Sequence, residues 1–271
     1  MYLKIRHRTH YRYSAPIDYG LQLIRLTPVD HAGQRVIGWS VSKADGQALR
    51  STDDGFGNVV HMMTLERGQQ EAAVVAEGTV ETAATDGVLR GLGDRVPVDY
   101  FLRQTAATKP ENAGRDLAEQ VRDVRDPVDR LHRLMDTIRA AVTFEVATTT
   151  VETSGAEALA AGRGVCQDFG HILAGSARHL GLPARYVSGY LWTGEAAQSF
   201  EASHAWAEVN VSGFGWIGFD AANGQCPTEA YVRVAAGLDY RSAAPVTGLW
   251  RGEAEESLAV EVEVQQLQAQ Q

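Results

Sequence analysis

Three residues stand in contexts that suit covalent catalysis: Cys166 in Gly164-Val165-Cys166-Gln167-Asp168-Phe169-Gly170-His171, His204 in Ser203-His204-Ala205-Trp206, and Asp220 in Gly218-Phe219-Asp220-Ala221. A thiolate attacks an amide carbonyl, an imidazolium protonates the departing amine, and a carboxylate holds the ring's tautomer and orientation. They are separated by 38 and then 16 residues, so only folding can bring them together. Each alone also fits a plain structural role: Cys166 as a small buried hydrophobe, His204 as a histidine beside Trp206, Asp220 as a strand-end turn residue. Their order and local context taken together favour the catalytic reading.

The cysteine needs a helix start. Phe169, Ile172, Leu173, Ala177 and Leu180 form an apolar stripe, Arg178 and His179 fall off it, and Gly181 and Pro183 end the pattern. Cys166 therefore belongs in the first turn, where free amide hydrogens and the helix dipole favour a thiolate. Gly162 and Gly164 let the chain approach closely there. Asp168 is read first as a helix-capping or first-turn charge. Gln167 and Trp206, adjacent to the reactive pair, are candidates for contacting substrate or an oxyanion; Gln167 equally suits a solvent-facing place.

The histidine and aspartate need a hairpin. Ala205, Ala207, Val209 and Val211 alternate with Trp206, Glu208 and Asn210, Trp216 to Phe219 is a second strand, and Ser212-Gly213-Phe214-Gly215 joins them. A two-residue turn at Gly213-Phe214 would pair Ala207 with Asp220 and leave His204 on the opposite face. A three-residue loop ending at a left-handed Gly215 would pair Glu208 with Asp220 and restore a common face, with two rungs of offset remaining. An irregular hairpin is predicted.

Upstream, residues 2 to about 90 read as strands: Tyr2 to Tyr13, Leu21 to Leu26, Val36 to Val41, Val59 to Leu65 and Val74 to Val80, with a turn at Asp54-Gly55-Phe56-Gly57-Asn58. After Pro97 the period becomes helical over Ala113 to Val124 and Val128 to Val142, the second helix starting at Asp126-Pro127. Thr143 to Ser154 is read as extended. Tyr231 to Ala235 and Ser257 to Val264 alternate as strands, and Gln265 to Gln271 is a polar tail expected to be mobile.

The chain has 271 residues, 44% hydrophobic and 22% charged, with a formal net charge of -9. That balance argues against general affinity for nucleic acid or anionic membrane and leaves a peptide or protein substrate as the expected partner. The oligomeric state is not legible. Met1 to Arg8 lacks an apolar leader and no apolar run is long enough to span a bilayer, so a soluble cytoplasmic protein is expected. Cys166 and Cys226 are too few for a disulfide framework, and without a Cys-x-x-Cys pair a zinc site combining them with His171, His179 or His204 fits poorly. No metal and no cofactor is expected. Cys226 follows Asp220 by six residues; if its loop overhangs the site, a disulfide to Cys166 would silence the thiol.

The cysteine, histidine and aspartate segments, together with Leu182-Pro183-Ala184-Arg185-Tyr186-Val187-Ser188-Gly189-Tyr190, resemble the bacterial transglutaminase-like superfamily over roughly residues 130 to 240. His10-Tyr11-Arg12-Tyr13, Leu26-Thr27-Pro28 and the Asp54 to Asn58 turn are similar to the β domain that precedes this core in many members. The resemblance implies an α+β fold: an N-terminal antiparallel β domain, residues 1–95, then a papain-like transglutaminase core, residues 96–271. In that core a helix bears the cysteine, an antiparallel sheet bears the histidine and aspartate, and strands follow at the C-terminus. It implies Cys166, His204 and Asp220 as a triad acting through a thioester. It does not imply one reaction, since members include cross-linking enzymes, deamidases, peptidases and inactive proteins. A cysteine-dependent amide or peptide hydrolase is expected, with water as the default acceptor. The alternatives are a protein-glutamine acyltransferase and a non-catalytic peptide-binding module. Many relatives carry proline after the aspartate and threonine before Asn223; Ala221-Ala222-Asn223-Gly224 is expected to loosen that turn. The Cys166 amide is one oxyanion donor, and the second is not assigned.

Overall fold

The computed structural model of the chain describes residues 1–93, 95–194 and 203–267, and the backbone of 197–198. Alternation builds the first sheet: in β1 (Tyr2–Tyr13), Leu3, Ile5, His7, Thr9, Tyr11 and Tyr13 are buried while Lys4, Arg6 and Arg12 are exposed. Before residue 90 follow β2 (Tyr19–Thr27), β3 (Gln34–Lys43), β4 (Ser51–Asp53), β5 (Val59–Leu65), β6 (Glu71–Thr82) and β7 (Val88–Leu89). A 3-10 turn at Val98–Leu102 leads to α1 (Asn112–Glu119) and α2 (Pro127–Ala141). Asp126 caps α2 by accepting from the amides of Val128 and Asp129, with proline in the first turn. The helix α1 is shorter than predicted because three-residue turns take over at Val121 and Arg122.

Then come β8 (Thr143–Phe144), α3 (Gly155–Ala161), β9 (Arg163–Gly164), α4 (Cys166–His179), β10 (Ala184–Leu191), β11 (Ala197–Gln198), β12 (Ser203–Val211) and β13 (Gly215–Phe219). The chain closes with β14 (Tyr231–Gly237), α5 (Tyr240–Ala243), β15 (Val246–Arg251) and β16 (Glu256–Leu267). Of the stretch read as extended between Thr143 and Ser154, only β8 pairs, in parallel with β9. The rest is turns, including Ala147 in left-handed backbone at φ 61°.

Two N-terminal sheets are ordered β11-β16-β1-β6-β3 and β15-β2-β5-β4, and the core sheet is ordered β14-β10-β12-β13-β7. All their pairings are antiparallel. Sheet membership thus crosses the expected division at residues 95 and 96. β7 joins the core sheet, and the C-terminal strands expected with the core return to the N-terminal sheets. Gln265, Gln266 and Leu267 pair with Lys4, Leu3 and Tyr2, so this part of the expected mobile tail is a strand; residues 268–271 lie outside the described residues.

One apolar cluster welds the halves together, joining Leu3, Ile5, Val74 and Val262 to Tyr186, Tyr190, Val232 and Val234. A second packs Leu134, Ile138, Leu173 and Ala177 of the helices against Ala207, Val209 and Phe219 of the core sheet. The cysteine helix α4 is buried all round from Gln167 to Arg178. Arg178, predicted to fall off the apolar stripe, is 5% exposed and donates to the carbonyls of Ala184 and Leu238 and to the Thr108 hydroxyl. Its guanidinium ties the helix to the start of the core sheet. Among the described residues no helix is long and apolar enough to cross a membrane.

Candidate active site

Cys166 is the first residue of α4, after Val165 in extended backbone. The Asp168 carboxylate turns back to accept the Val165 amide at 2.8 Å and the Thr149 hydroxyl at 2.7 Å, as a first-turn acidic group does. This clamps the chain just ahead of the cysteine and explains Gly164, where a Cβ would lie 2.8 Å from the Asp168 carboxylate. Gly162, at φ 66°, ends α3 and redirects the chain toward that start. Burial raises the Asp168 pKa against these bonds.

The hairpin of β12 and β13 is irregular, though not in the predicted register. Its loop is Ser212, Gly213 and Phe214, closing on Val211 paired with Gly215, with both glycines in left-handed backbone. Glu208 therefore pairs with Gly218 rather than with Asp220. One step beyond the last pair, Ala207 with Phe219, Asp220 stands across from Trp206, on the face it shares with His204. A diagonal offset of one pleat remains, within reach of two such side chains. His204 Nε2 lies 2.6 Å from Asp220 Oδ2 and 3.3 Å from the Asn223 side-chain amide, and the Cys166 side chain is a further hydrogen-bond partner of the same ring.

Five donors converge on the Asp220 carboxylate. Oδ2 receives His204, the Asn223 side-chain amide at 2.7 Å and the Tyr231 hydroxyl at 2.7 Å; Oδ1 receives the backbone amides of Ala222 at 3.0 Å and Asn223 at 3.2 Å. Burial disfavours the carboxylate, but these bonds and the His204 charge outweigh it and lower the Asp220 pKa. Burial likewise opposes charge on His204, yet Asp220 and Cys166 override it and raise its pKa from 6.5 to about 10. A charged imidazole between a thiol and a carboxylate can stabilise a thiolate and deliver a proton to a leaving amine.

Over residues 3–81 the chain matches the profile described as "Bacterial transglutaminase-like N-terminal region", and over residues 115–221 the "Transglutaminase-like superfamily" core. It is 30% identical to the uncharacterized protein ML0607 of Mycobacterium leprae over 98% of this chain and 99% of that one. The chain belongs to the transglutaminase-like superfamily. It is 28% identical to the uncharacterized protein Rv2569c of Mycobacterium tuberculosis, over 91% of this chain and 86% of the relative. Among solved structures, a chain from Cytophaga hutchinsonii titled a "Putative Cysteine Protease" superposes with a TM-score of 0.77 at 19% identity, covering 100% of this chain and 92% of that one. That likeness carries the fold, a papain-like α+β core behind antiparallel N-terminal sheets.

Against this transglutaminase-like frame several sequence expectations change. Ala221-Ala222-Asn223-Gly224 does not loosen the turn: Asp220 and Gln225 exchange backbone hydrogen bonds, Gly224 donates to the Asp220 carbonyl at 2.7 Å, and the carboxylate caps the turn from inside. Gln167 neither faces solvent nor aims at the thiol; it is 9% exposed and reaches the carbonyls of Thr150 at 3.5 Å and Val151 at 3.4 Å. Trp206 is 2% exposed, its plane within 27° of the His204 ring at 6.3 Å and edge-on to Tyr231, so it backs the imidazole from inside. Both candidates brace the site from behind. Cys226 packs against Gly87, where a Cβ would meet its own at 2.7 Å, and both thiols are free. The histidines weighed as metal ligands have other partners: His171 accepts the Tyr240 amide and His179 meets Glu119.

Tyr231 and the Arg185–Glu208–Arg233 group were missed. Tyr231 sits on β14, a strand legible in sequence, but nothing there showed which strand would flank the hairpin. Glu208 accepts from Arg185 Nε at 2.5 Å and from Arg233 Nε at 2.9 Å, uniting β10, β12 and β14 beneath the site. The arginines hold its pKa down to about 2 despite burial. Its place four residues after His204, on the same strand face, was the available signal.

Proposed function

We propose that the protein is a cysteine-dependent amide hydrolase acting on polypeptide substrates. Cys166 is the nucleophile, His204 the general acid and base, and Asp220 the group that orients His204. The observation that carries this reading is the buried His204 imidazole placed between Asp220 at 2.6 Å and the Cys166 side chain, two partners that favour its charged form. The thiolate adds to the amide carbonyl, and the oxyanion forms beside the first-turn amides of α4. Collapse breaks the C–N bond as His204 gives its proton to the departing amine, leaving a thioester. Water then gives a proton to His204 and attacks the thioester; C–S cleavage releases the acid and returns the thiolate and imidazolium.

The first test is the pH dependence of Cys166 alkylation by iodoacetamide in a Cys226→Ser background, with and without His204→Ala. A thiolate reactive well below pH 8 that disappears with His204 supports the ion pair. A thiol titrating near its free value of about 8.5 in both proteins sinks the catalytic reading. With reactivity established, peptide cleavage against incorporation of a small primary amine into a glutamine peptide separates hydrolysis from acyl transfer; dominant amine incorporation overturns the hydrolase assignment.

A further inference from the structure

Side chains from the N-terminal half grip an edge of the core sheet. β14 ends the order β14-β10-β12-β13-β7, so one row of its amides and carbonyls faces away from the sheet. All seven residues of the strand are buried, and buried backbone groups need partners. Two carboxamides supply them. Gln34, at the start of β3, accepts the Arg233 amide and donates to the Arg233 carbonyl, both at 2.8 Å. Asn58, at the end of the Asp54 turn, does the same for Ala236, again at 2.8 Å each way.

Both carboxamides are held in one orientation. Gln34 Nε2 also donates to the Val29 carbonyl at 2.9 Å, and Asn58 Nδ2 also donates to the Asp54 carboxylate at 3.0 Å, which fixes the nitrogen end of each group. Asp54 further accepts the amides of Phe56 and Asn58 and the guanidinium of Arg25, so the turn is built around the side chain it presents. A third tie comes just ahead of the strand, where the Thr82 hydroxyl donates to the Glu229 carbonyl at 2.6 Å.

The gripped stretch is irregular. Ser188 of β10 pairs with Ala235 and Gly189 with Arg233, so Val234 is an extra residue, a β-bulge. Successive residues of a strand turn their amide and carbonyl to opposite edges. Arg233 and Ala236 would therefore face opposite edges of an unbroken strand; the extra residue brings both to the outer edge, where Gln34 and Asn58 take one each. The bulge lies across β10 from His204, because Gly189 pairs with His204 on its other side. From this strand Arg233 reaches Glu208, and Tyr231 brings its hydroxyl to Asp220 and its ring to 5.8 Å from that of His204.

We infer that Gln34 and Asn58 are positioning residues of the Cys166, His204 and Asp220 site: by holding the two sides of the Val234 bulge, they set Tyr231 against Asp220 and His204. The N-terminal sheets thereby complete the catalytic sheet from outside. This deepens the proposed amide chemistry and rests on it for turnover, not for the placement of His204.

The test is the ¹³C-histidine spectrum of the full-length protein, read at His204, for Gln34→Met, Tyr231→Phe and the two combined. Methionine fills the place of Gln34 and removes its three hydrogen bonds. The His204 signal should move in Gln34→Met as it does in Tyr231→Phe, and the double variant should move no further than Tyr231→Phe alone, the non-additivity of residues acting through one contact. Thr82→Val, which deletes the bond to Glu229, should move the signal less and serves in place of Gln34→Met if that variant does not fold. His61→Leu is the control: it loses Thr27 and the Leu49 carbonyl, both within the N-terminal half, and should lower the urea midpoint while leaving the His204 signal in place. In steady-state kinetics Gln34→Met should lose several-fold in kcat with KM unchanged. An unmoved His204 signal in the folded variant, additive shifts in the double variant, or an equal shift in His61→Leu overturns the inference. Coupled shifts in a protein that cleaves no amide count against the proposed hydrolysis and leave the positioning role standing.

Discussion

His204 Nε2 and Asp220 Oδ2 are 2.6 Å apart although the strand register places Asp220 across from Trp206. The contact is diagonal, across one pleat, and it is stiffened because Asp220 is simultaneously the inner cap of the turn that follows it. The aspartate cannot follow a moving imidazole without breaking its own turn. The imidazole is therefore oriented by a fixed carboxylate, which is the condition for holding one tautomer.

The first prediction concerns the protonation of His204. Its pKa in the folded protein is raised to about 10 by Asp220 and Cys166 against burial. Because the folded value lies above the unfolded one, the stabilisation is complete below about pH 6.5 and is lost as pH rises through about 10. Titration of ¹³C-labelled histidines, with the His204 signal assigned by its loss in His204→Gln, should find a ring still charged at pH 8. Cys166→Ala and Asp220→Asn should each move the midpoint down. A resting His204 that titrates near 6.5 would show that neither partner acts on it.

Removing the Tyr231 hydroxyl should separate positioning from charge. Tyr231→Phe leaves His204, Asn223 and two backbone amides on the Asp220 carboxylate but frees one lone-pair site in a buried place. The expected cost is about 1–3 kcal/mol of stability and a several-fold loss in kcat with KM unchanged. Asp220→Asn, which cannot accept the imidazole proton in the same way, should cost kcat about 10⁴-fold. Steady-state kinetics at pH 7 with urea unfolding of each variant checks both. Equal losses from the two would mean that Tyr231 does more than position.

The chemistry was more legible than the architecture that delivers it. Cys166 at a helix start could be seen because Gly164 before it and the apolar spacing after it leave one place for the first turn. That the helix is buried all round could not, since Arg178 is satisfied by the carbonyls of Ala184 and Leu238, which only folding brings near. The hairpin's irregularity was readable in its two glycines, but the two-residue difference between pairing Glu208 with Asp220 and pairing it with Gly218 depends on where the loop closes, and both choices keep the faces in phase. The return of β15 and β16 to the N-terminal sheets was invisible for another reason: alternation names a strand without naming its neighbour. Trp206 and Gln167 were legible as neighbours of the site but not as buried braces, because burial is set by strands distant in sequence.

Gly189 is the position where a methyl group should damage the site without touching its chemistry. It pairs with His204 across β10 and β12, and a Cβ there would come within 2.1 Å of the Val232 carbonyl oxygen and 2.7 Å of the Trp206 ring. The carbonyl belongs to the sheet and cannot rotate away, so strand or indole must shift. Overpacking of this kind costs about 1–3 kcal/mol, and displacement of Trp206 carries His204 with it. Gly189→Ala should lose stability and at least tenfold in kcat. Gly38→Ala, on an N-terminal strand with nothing within 4 Å of its Cβ, serves as the control. Comparable losses in both variants would argue against the coupling.

The last prediction tests the ionic group beneath the site. Glu208 is 2% exposed between Arg185 and Arg233, and Arg185 also lies 4.0 Å from the centre of the Trp216 ring. A buried pair yields little net stability over an apolar substitute, but removing one member strands the other charge at about 3–5 kcal/mol. Glu208→Gln should therefore destabilise by about that amount in urea, and adding Arg233→Met should recover part of the loss by removing a stranded cation. With the Glu208 pKa held at about 2, its contribution is complete above about pH 4.5 and fades as pH falls toward 2. The wild-type midpoint should decline across that window while that of Glu208→Gln changes less. A loss below 1 kcal/mol in the single variant would mean that water or another group already neutralises the arginines, and the three strands would owe their register to backbone pairing alone.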